Sequence, residues 1–384
     1  MVVGGGVFGL TAALELRRRG WRVTLLESGP WPRPLAASTD ISKVVRMDYG
    51  ADELHTALGE ASIHGWHEWN RHWGEMLYHE DGFLLVTHDA LIPGGFEHDS
   101  FALLQRRGHS LVPLDPRAME QIYPQWAAAG YRHGYLNPHG GWAESGRVIA
   151  RLAGDALAAG VELCAGSCFA RLRESGSKIT GVVTRAGEEI LADQVLVAAG
   201  AWTPELLPHL SPVMWATGQP IMHFRVPDAA AFQPPRFPVW AADIARTGWY
   251  GFPALNDGTL KLGNHGPGRR IEPEAPREVL PAEIERGREF LRATFPMIAE
   301  APVSHTRLCL YCDTFDGDFW IDHDPDRAGL VVAAGDSGHA FKFAPMLGGV
   351  VADVVEGKPN AYAARYRWRA QPTKAKEGAR WQGE

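Results

Sequence analysis

The sequence predicts an α/β protein in two parts, one built on a parallel sheet and the other on a mostly antiparallel one. Three observations carry this. The opening runs from a short apolar stub, Met1–Val3, through Gly4-x-Gly6-x-x-Gly9 and an amphipathic segment to Gly20, then into a second apolar run, Trp21–Leu26, closed by Glu27. Two later apolar runs, Val195–Ala199 and Leu330–Ala334, each stop at a glycine, as buried parallel strands do at a binding crevice. Residues 215–305 alternate short strand-like runs with Pro and Gly turns around one amphipathic segment, the pattern of an antiparallel sheet in an α+β domain.

The opening is a complete Rossmann-like βαβ unit. Gly4 permits the tight turn, Gly6 lets backbone approach a pyrophosphate, and Gly9 lets helix and strand pack closely. The helix N-terminus, at Val7 and Phe8, offers unpaired N–H groups and the positive end of its dipole to phosphates. Glu27 stands near the ~20-residue offset of a ribose-binding carboxylate. A carboxylate there repels a 2′-phosphate, so FAD or NAD is expected rather than NADP. Three residues before Gly4 are few for a strand, and the strand is expected to begin upstream of Met1.

Further along, residues 38–78 read as helical and rich in Trp and His. The aromatic face fits packing better than a histidine metal site, because no carboxylate ligand motif accompanies it. Gly82–Thr87 reads as a strand, 115–126 as a short helix, and 147–159 as a helix. Strands follow around 161–172 and 179–184, and helices around 281–295 and 345–356. The parallel-sheet domain is therefore discontinuous, over 1–80, 143–214 and 306–370. Residues 81–142 and 215–305 form the second domain, and the polar 371–384 tail is expected to fray. Substrate belongs between the two domains.

A chain of 384 residues with 45% hydrophobic and 22% charged residues can bury a core of two-domain size. A net charge of −7, without a recurrent basic helix face, leaves nucleic acid without an electrostatic footprint. No apolar run approaches the ~18 residues of a membrane span, and the cytoplasm is the expected compartment. Four cysteines, at 164, 168, 309 and 312, are too few for a disulfide scaffold. Cys309 and Cys312 lie three apart in an alternating run and face opposite ways, so no metal is expected. Unaided, Cys309 reads as a buried hydrophobe.

With the glycine turn, Glu27, the 195–202 strand and the late turn Gly335-Asp-Ser-Gly-His-Ala-Phe-Lys342 together, the chain resembles the glutathione-reductase-fold flavoproteins of the D-amino-acid oxidase superfamily. Within it, the chain is most similar to the monomeric sarcosine oxidase family, which includes the fructosyl amino acid oxidases. Four segments carry the likeness: Ser42–Arg46, Trp249–Pro253 with Lys261–His265, Leu308–Thr314, and Ser337–Phe343. The resemblance implies FAD, held by Gly4, Gly6, Val7, Phe8, Gly9, Glu27, Ser38, Ser42, Gly335, Ser337, Gly338, His339 and Lys342. It implies an 8α-thioether from Cys309 to the flavin. It also implies that Arg46 and Lys342 bind a substrate carboxylate, that Lys261 assists oxygen reduction, and that Lys43, Tyr250 and His265 shape the catalytic pocket.

The implied activity is oxidation of a secondary or N-substituted amino acid, with hydride passing to flavin, the imine hydrolysing, and O2 reduced to H2O2. The partners are then a small amino acid and O2. Three alternatives stay open: a deglycating fructosyl amino acid oxidase, an oxygen-insensitive FAD-dependent dehydrogenase, and a non-catalytic flavin-binding subunit. The Arg46–Lys342 pair argues against the last, which has no need of a substrate clamp. Asp336, Ala340 and Asn264 depart from the family's usual residues and leave the substrate open, while Lys43 tilts the reading toward a larger or sugar-bearing amine.

Overall fold

The computed structural model describes residues 1–370 and 378–383. Its first sheet has the strand order Trp320–His323, Leu330–Ala334, Val195–Val197, Val2–Val3, Thr24–Glu27, Glu162–Ala165. All pairs are parallel except the edge pair Trp320–His323 with Leu330–Ala334. Val2 is flanked by Leu196 and Leu25 in register, and the two glycine-terminated runs foreseen from the sequence pair with each other, Val195 opposite Leu330. The helices Val7–Arg18, Ser145–Ala158 and Ala344–Val355 pack on this layer through Leu10, Leu14, Leu152, Leu347 and Val351, all buried.

The second large sheet has nine strands and is antiparallel but for the pairing of Phe83–Thr87 with Val239–Ala242. Its spine is a ribbon of two long strands, Met214–Arg225 and Val303–Thr314, paired along nearly their whole length. This moves the expected boundary. Residues 306–314, assigned from sequence to the cofactor domain, belong to the second sheet, because alternate residues of the strand match the face of 214–225. A small sheet of Phe169–Ser175, Lys178–Thr184 and Glu189–Leu191 stands apart.

Residues 38–78 are not one helix. Lys43–Val45 is a strand, paired with Gly141–Ala143 about a hundred residues away, and the helix runs over Glu53–Trp73. Asp52 caps that helix by accepting from the His55 N–H at 3.0 Å, and Gly74 ends it at φ +63°. Its Trp66 is fully buried and donates to the Lys342 carbonyl at 2.7 Å, so the aromatic face serves packing. Among the described residues no group of three or more His, Cys, Asp or Glu side chains could hold a metal, and no helix is long and apolar enough to cross a membrane. Of the tail expected to fray, 371–377 and 384 lie outside the described residues. Residues 378–383 are packed instead, with Ala379 fully buried and Arg380 paired to Asp313 at 2.6 Å.

Candidate active site

The glycine turn lines a cleft bordered by Gly4–Phe8, Glu27, Ser38, Lys43, Ala198–Trp202, Tyr311 and Gly338. Its tightness is steric. A Cβ on Gly9 would lie 1.9 Å from the Gly4 carbonyl oxygen, and one on Gly4, at φ +105°, would lie 2.4 Å from the Ala198 oxygen. Gly9 therefore packs beneath the turn and does not itself border the cleft. Ser38 Oγ accepts from Val7 N at 3.0 Å, and Glu27 Oε2 accepts from Gly5 N at 2.8 Å. The helix starts at Gly6 without a side-chain cap and has no acid in its first turn, so its positive pole opens on the cleft. With Arg33, Lys43 and Arg185 also on the walls, the donor set fits a dinucleotide with a pyrophosphate at the glycine turn.

A second cavity abuts the first and shares Lys43, Tyr311, Gly338 and Phe341 with it. It brings together Lys43, Arg46, Tyr250, Lys261, His265, Cys309, Gly338, His339 and Lys342, residues spread over three hundred positions of sequence. Ser42, Gly335 and Ser337 line neither space. The Ser42 carbonyl accepts from Lys261 Nζ at 2.6 Å. Gly335 at φ +73° and Ser337 at φ +42° form the late turn, with Ser337 N donating to the Cys312 carbonyl at 3.0 Å. Gly338 needs its hydrogen, because a Cβ there would lie 2.2 Å from the Tyr311 ring.

The two carboxylate-binding candidates are buried cations. Arg46 is 6% exposed and lies over the rings of Tyr49, Phe83 and Phe96 at 4.8, 5.7 and 5.7 Å. Lys342 is also 6% exposed and donates to Tyr49 Oη and to the His339 carbonyl, both at 2.8 Å. His339 Nε2 lies 2.9 Å from the Gly317 carbonyl, which can only accept, so that nitrogen carries the proton. In the neutral ring Nδ1 then accepts from Tyr49 Oη at 3.1 Å. Tyr49 is thus fixed between His339 and Lys342. Behind Arg46, Asp48 is fully buried, accepting from Tyr135 Oη at 2.7 Å and Asn137 Nδ2 at 3.1 Å. Burial pushes its carboxyl above the usual range, against the pull of Arg46.

Lys261 Nζ pairs with Asp40 Oδ2 at 2.7 Å, both side chains only 2% exposed. Burial pushes the Lys261 ammonium down to about 8, with Asp40 holding it up and Lys43 repelling it. Asp40 is driven the other way, well below the ordinary carboxylate range, because Lys261, Lys43 and Arg307 together outweigh its burial. His223, 3.6 Å from Asp40 Oδ1, is pushed down to about 4 by burial and is neutral near pH 7. Tyr250 and Tyr311 are hydrogen-bonded to each other, and burial raises both phenols. Cys309 opens on the second cavity with Lys43 Nζ 3.9 Å from its Sγ. Cys312 faces the other way, 4.0 Å from Met214 Sδ in the apolar core, and burial pushes its thiol up.

Asp40, Asp48, Tyr49 and Tyr311 escaped the reading of the sequence. Tyr311 was accessible to it: two residues from Cys309 on a strand, it shares that residue's face. Asp40 and Tyr49 flank the Ser42–Arg46 segment, but only the fold shows that they meet Lys261 and Lys342.

The family model described as FAD dependent oxidoreductase (DAO) matches residues 1–354. The chain belongs to this family of FAD-dependent oxidoreductases, and it is an enzyme of that class. It is 27% identical over 370 residues to the N-methyl-L-tryptophan oxidase of Salmonella heidelberg, covering 94% of this chain and 95% of the relative. The Yersinia pestis enzyme of the same name is 28% identical over 371 residues, with the same coverage. Among solved structures, fructosamine oxidase (Amadoriase II) of Aspergillus fumigatus superposes with a TM-score of 0.84 at 23% identity, covering 100% of this chain and 93% of that one. Fructosyl peptide oxidase of E. terrenum gives 0.84 at 21% identity, with coverages of 98% and 95%. The two-sheet fold is shared with them.

Proposed function

We propose that this chain is an oxidase of secondary or N-substituted amino acids, converting the C–N bond to an imine that hydrolyses in water while O2 is reduced to H2O2. The observation that carries the reading is the pair of buried cations, Arg46 and Lys342, on one cavity that abuts the cofactor cleft. FAD, when bound, supplies the hydride acceptor that no side chain can be. Arg46 presents a planar fork to the carboxylate, and Lys342 a point charge fixed by Tyr49 and His339. Together they orient the α-carbon toward the shared wall of Tyr311 and Gly338. Phe83, Ile221, Phe252 and Phe341 give the cavity an apolar lining. Lys261 holds a proton at Nζ beside this cavity, and Cys309 would hold the flavin through a thioether.

The names of the relatives support oxidation of an N-substituted amino acid. A second reading, a fructosyl amino acid oxidase, is favoured by Lys43, which lines both spaces where a larger amine needs a polar neighbour. Turnover of sarcosine, N-methyl-L-tryptophan and fructosyl-glycine, followed by peroxide formation, separates the two. Turnover with dyes but no peroxide contradicts the oxidase reading. Arg46→Ala is expected to raise KM by at least about tenfold, the worth of a charge-assisted contact, while the flavin stays bound. An unchanged KM would remove Arg46 from the carboxylate site.

A further inference from the structure

We propose that the C-terminal segment Gly378–Gly383 is a strap behind the wall of the substrate cavity, latched by Arg380 on Asp313, and that by holding that wall in place it limits the size of the amine admitted. The segment packs on the outer side of residues that build the cavity wall. At one end Gly378 sits against Phe96, one of the rings bedding Arg46, at a distance where a Cβ would lie 3.2 Å from the ring. Ala379 is fully buried in the apolar cluster that holds the cavity-lining Phe83, Ala241, Ile244 and Phe252. At the other end Trp381 N donates to the carbonyl of His265 at 3.1 Å, and its ring closes over Gly266.

The latch lies between these ends. Arg380 makes a two-pronged contact with Asp313 at 2.6 and 2.7 Å, donates to the Gly266 carbonyl at 3.0 Å, and lies 5.8 Å from the Tyr311 ring. Both partners are buried, Arg380 at 13% and Asp313 at 5% exposure, so removing either leaves the other's charge unbalanced away from water. Among the described residues of the strap, only Ala379 is fully buried. A segment with so little buried and one strong polar anchor is at the low end of local stability, and the anchor decides whether it stays down. Arg380 is a positioning residue here, acting through His265, Gly266 and Tyr311.

The inference rests on the second cavity being the substrate site, and the test keeps the two apart. In the full-length holoenzyme, Arg380→Ala is expected to raise the ratio of kcat/KM for N-methyl-L-tryptophan over sarcosine by about tenfold, the range a change in pocket size commands. Arg380→Lys, which keeps the charge, is expected to fall closer to wild type. A ratio unchanged in Arg380→Ala overturns the size limit, since a merely structural contact lowers both activities alike. Should the wild-type enzyme oxidise neither amine, hydrogen exchange decides. Amides of 249–252 and 262–266 are then expected to exchange at least about tenfold faster in Arg380→Ala, and unchanged protection overturns the strap.

Discussion

Lys261 keeps its proton in a place where burial makes the charge costly, and Asp40 is what makes that possible. Burial, with Lys43 close by, pushes the ammonium down to about 8, and the Asp40 contact at 2.7 Å is the main influence raising it. Replacing Asp40 by Asn removes that influence while Lys43 and burial persist, so the Lys261 proton is lost at lower pH. If Lys261 supports oxygen reduction as a cation, reoxidation of the reduced enzyme falls off above about pH 8 in the wild type. In Asp40→Asn the same fall is expected at lower pH, measured as stopped-flow reoxidation across pH. The other groups facing Lys261 are Asp40 itself, Cys309 and, across the sheet, His223, which titrates near 4 and contributes no limb in that range. A limb that stays near pH 8 in the variant assigns it to another group. This residue-scale detail was closed to the sequence, because Asp40, in the loop before Lys43–Val45, meets Lys261, on the strand Thr259–Asn264, across 221 positions of chain and not through any local spacing.

Elements were legible where their signal was local. The glycine turn, its helix and the terminal acid announce themselves within twenty-seven residues, and the apolar runs at 195 and 330 carry no competing period. What the pattern misread was non-local. Lys43–Val45 became a strand only through Gly141–Ala143, and Val303–Thr314 joined the second sheet only through Met214–Arg225. The glycines separate local preference from packing and make a paired prediction. Gly154 lies mid-helix with nothing within 4 Å of where a methyl would stand, so Gly154→Ala should gain up to about 1 kcal/mol from helix preference alone. Gly9→Ala has the same preference in its favour, but its Cβ would meet the Gly4 carbonyl oxygen at 1.9 Å, backbone against backbone. No rotamer relieves that contact, and overpacking of about 1–3 kcal/mol or more outweighs the gain. Thermal melting should show Gly154→Ala at or above wild type and Gly9→Ala below it, with less FAD retained.

At the scale of the whole molecule, the two sheets contribute different halves of the site, and Cys309 stands where they meet. The phosphate-binding turn belongs to the parallel sheet, whereas Cys309 sits on the ribbon of the second sheet, opposite Gln219 in register and facing the cavity. A thioether at this position would join the two halves through the cofactor. The Lys43 ammonium lies 3.9 Å from Sγ, on the same cavity. Cys312, three residues on, shares the strand and the burial but faces Met214 in the core, where burial keeps its thiol protonated. The two cysteines therefore make an internal control. After acid precipitation of the wild type, the flavin absorbance is expected in the pellet. Cys309→Ser should release it to the supernatant, and Cys312→Ser should leave it in the pellet. Colour in the wild-type supernatant would remove the covalent link while leaving FAD as the cofactor, and release by Cys312→Ser alone would move the attachment to the other face of the ribbon.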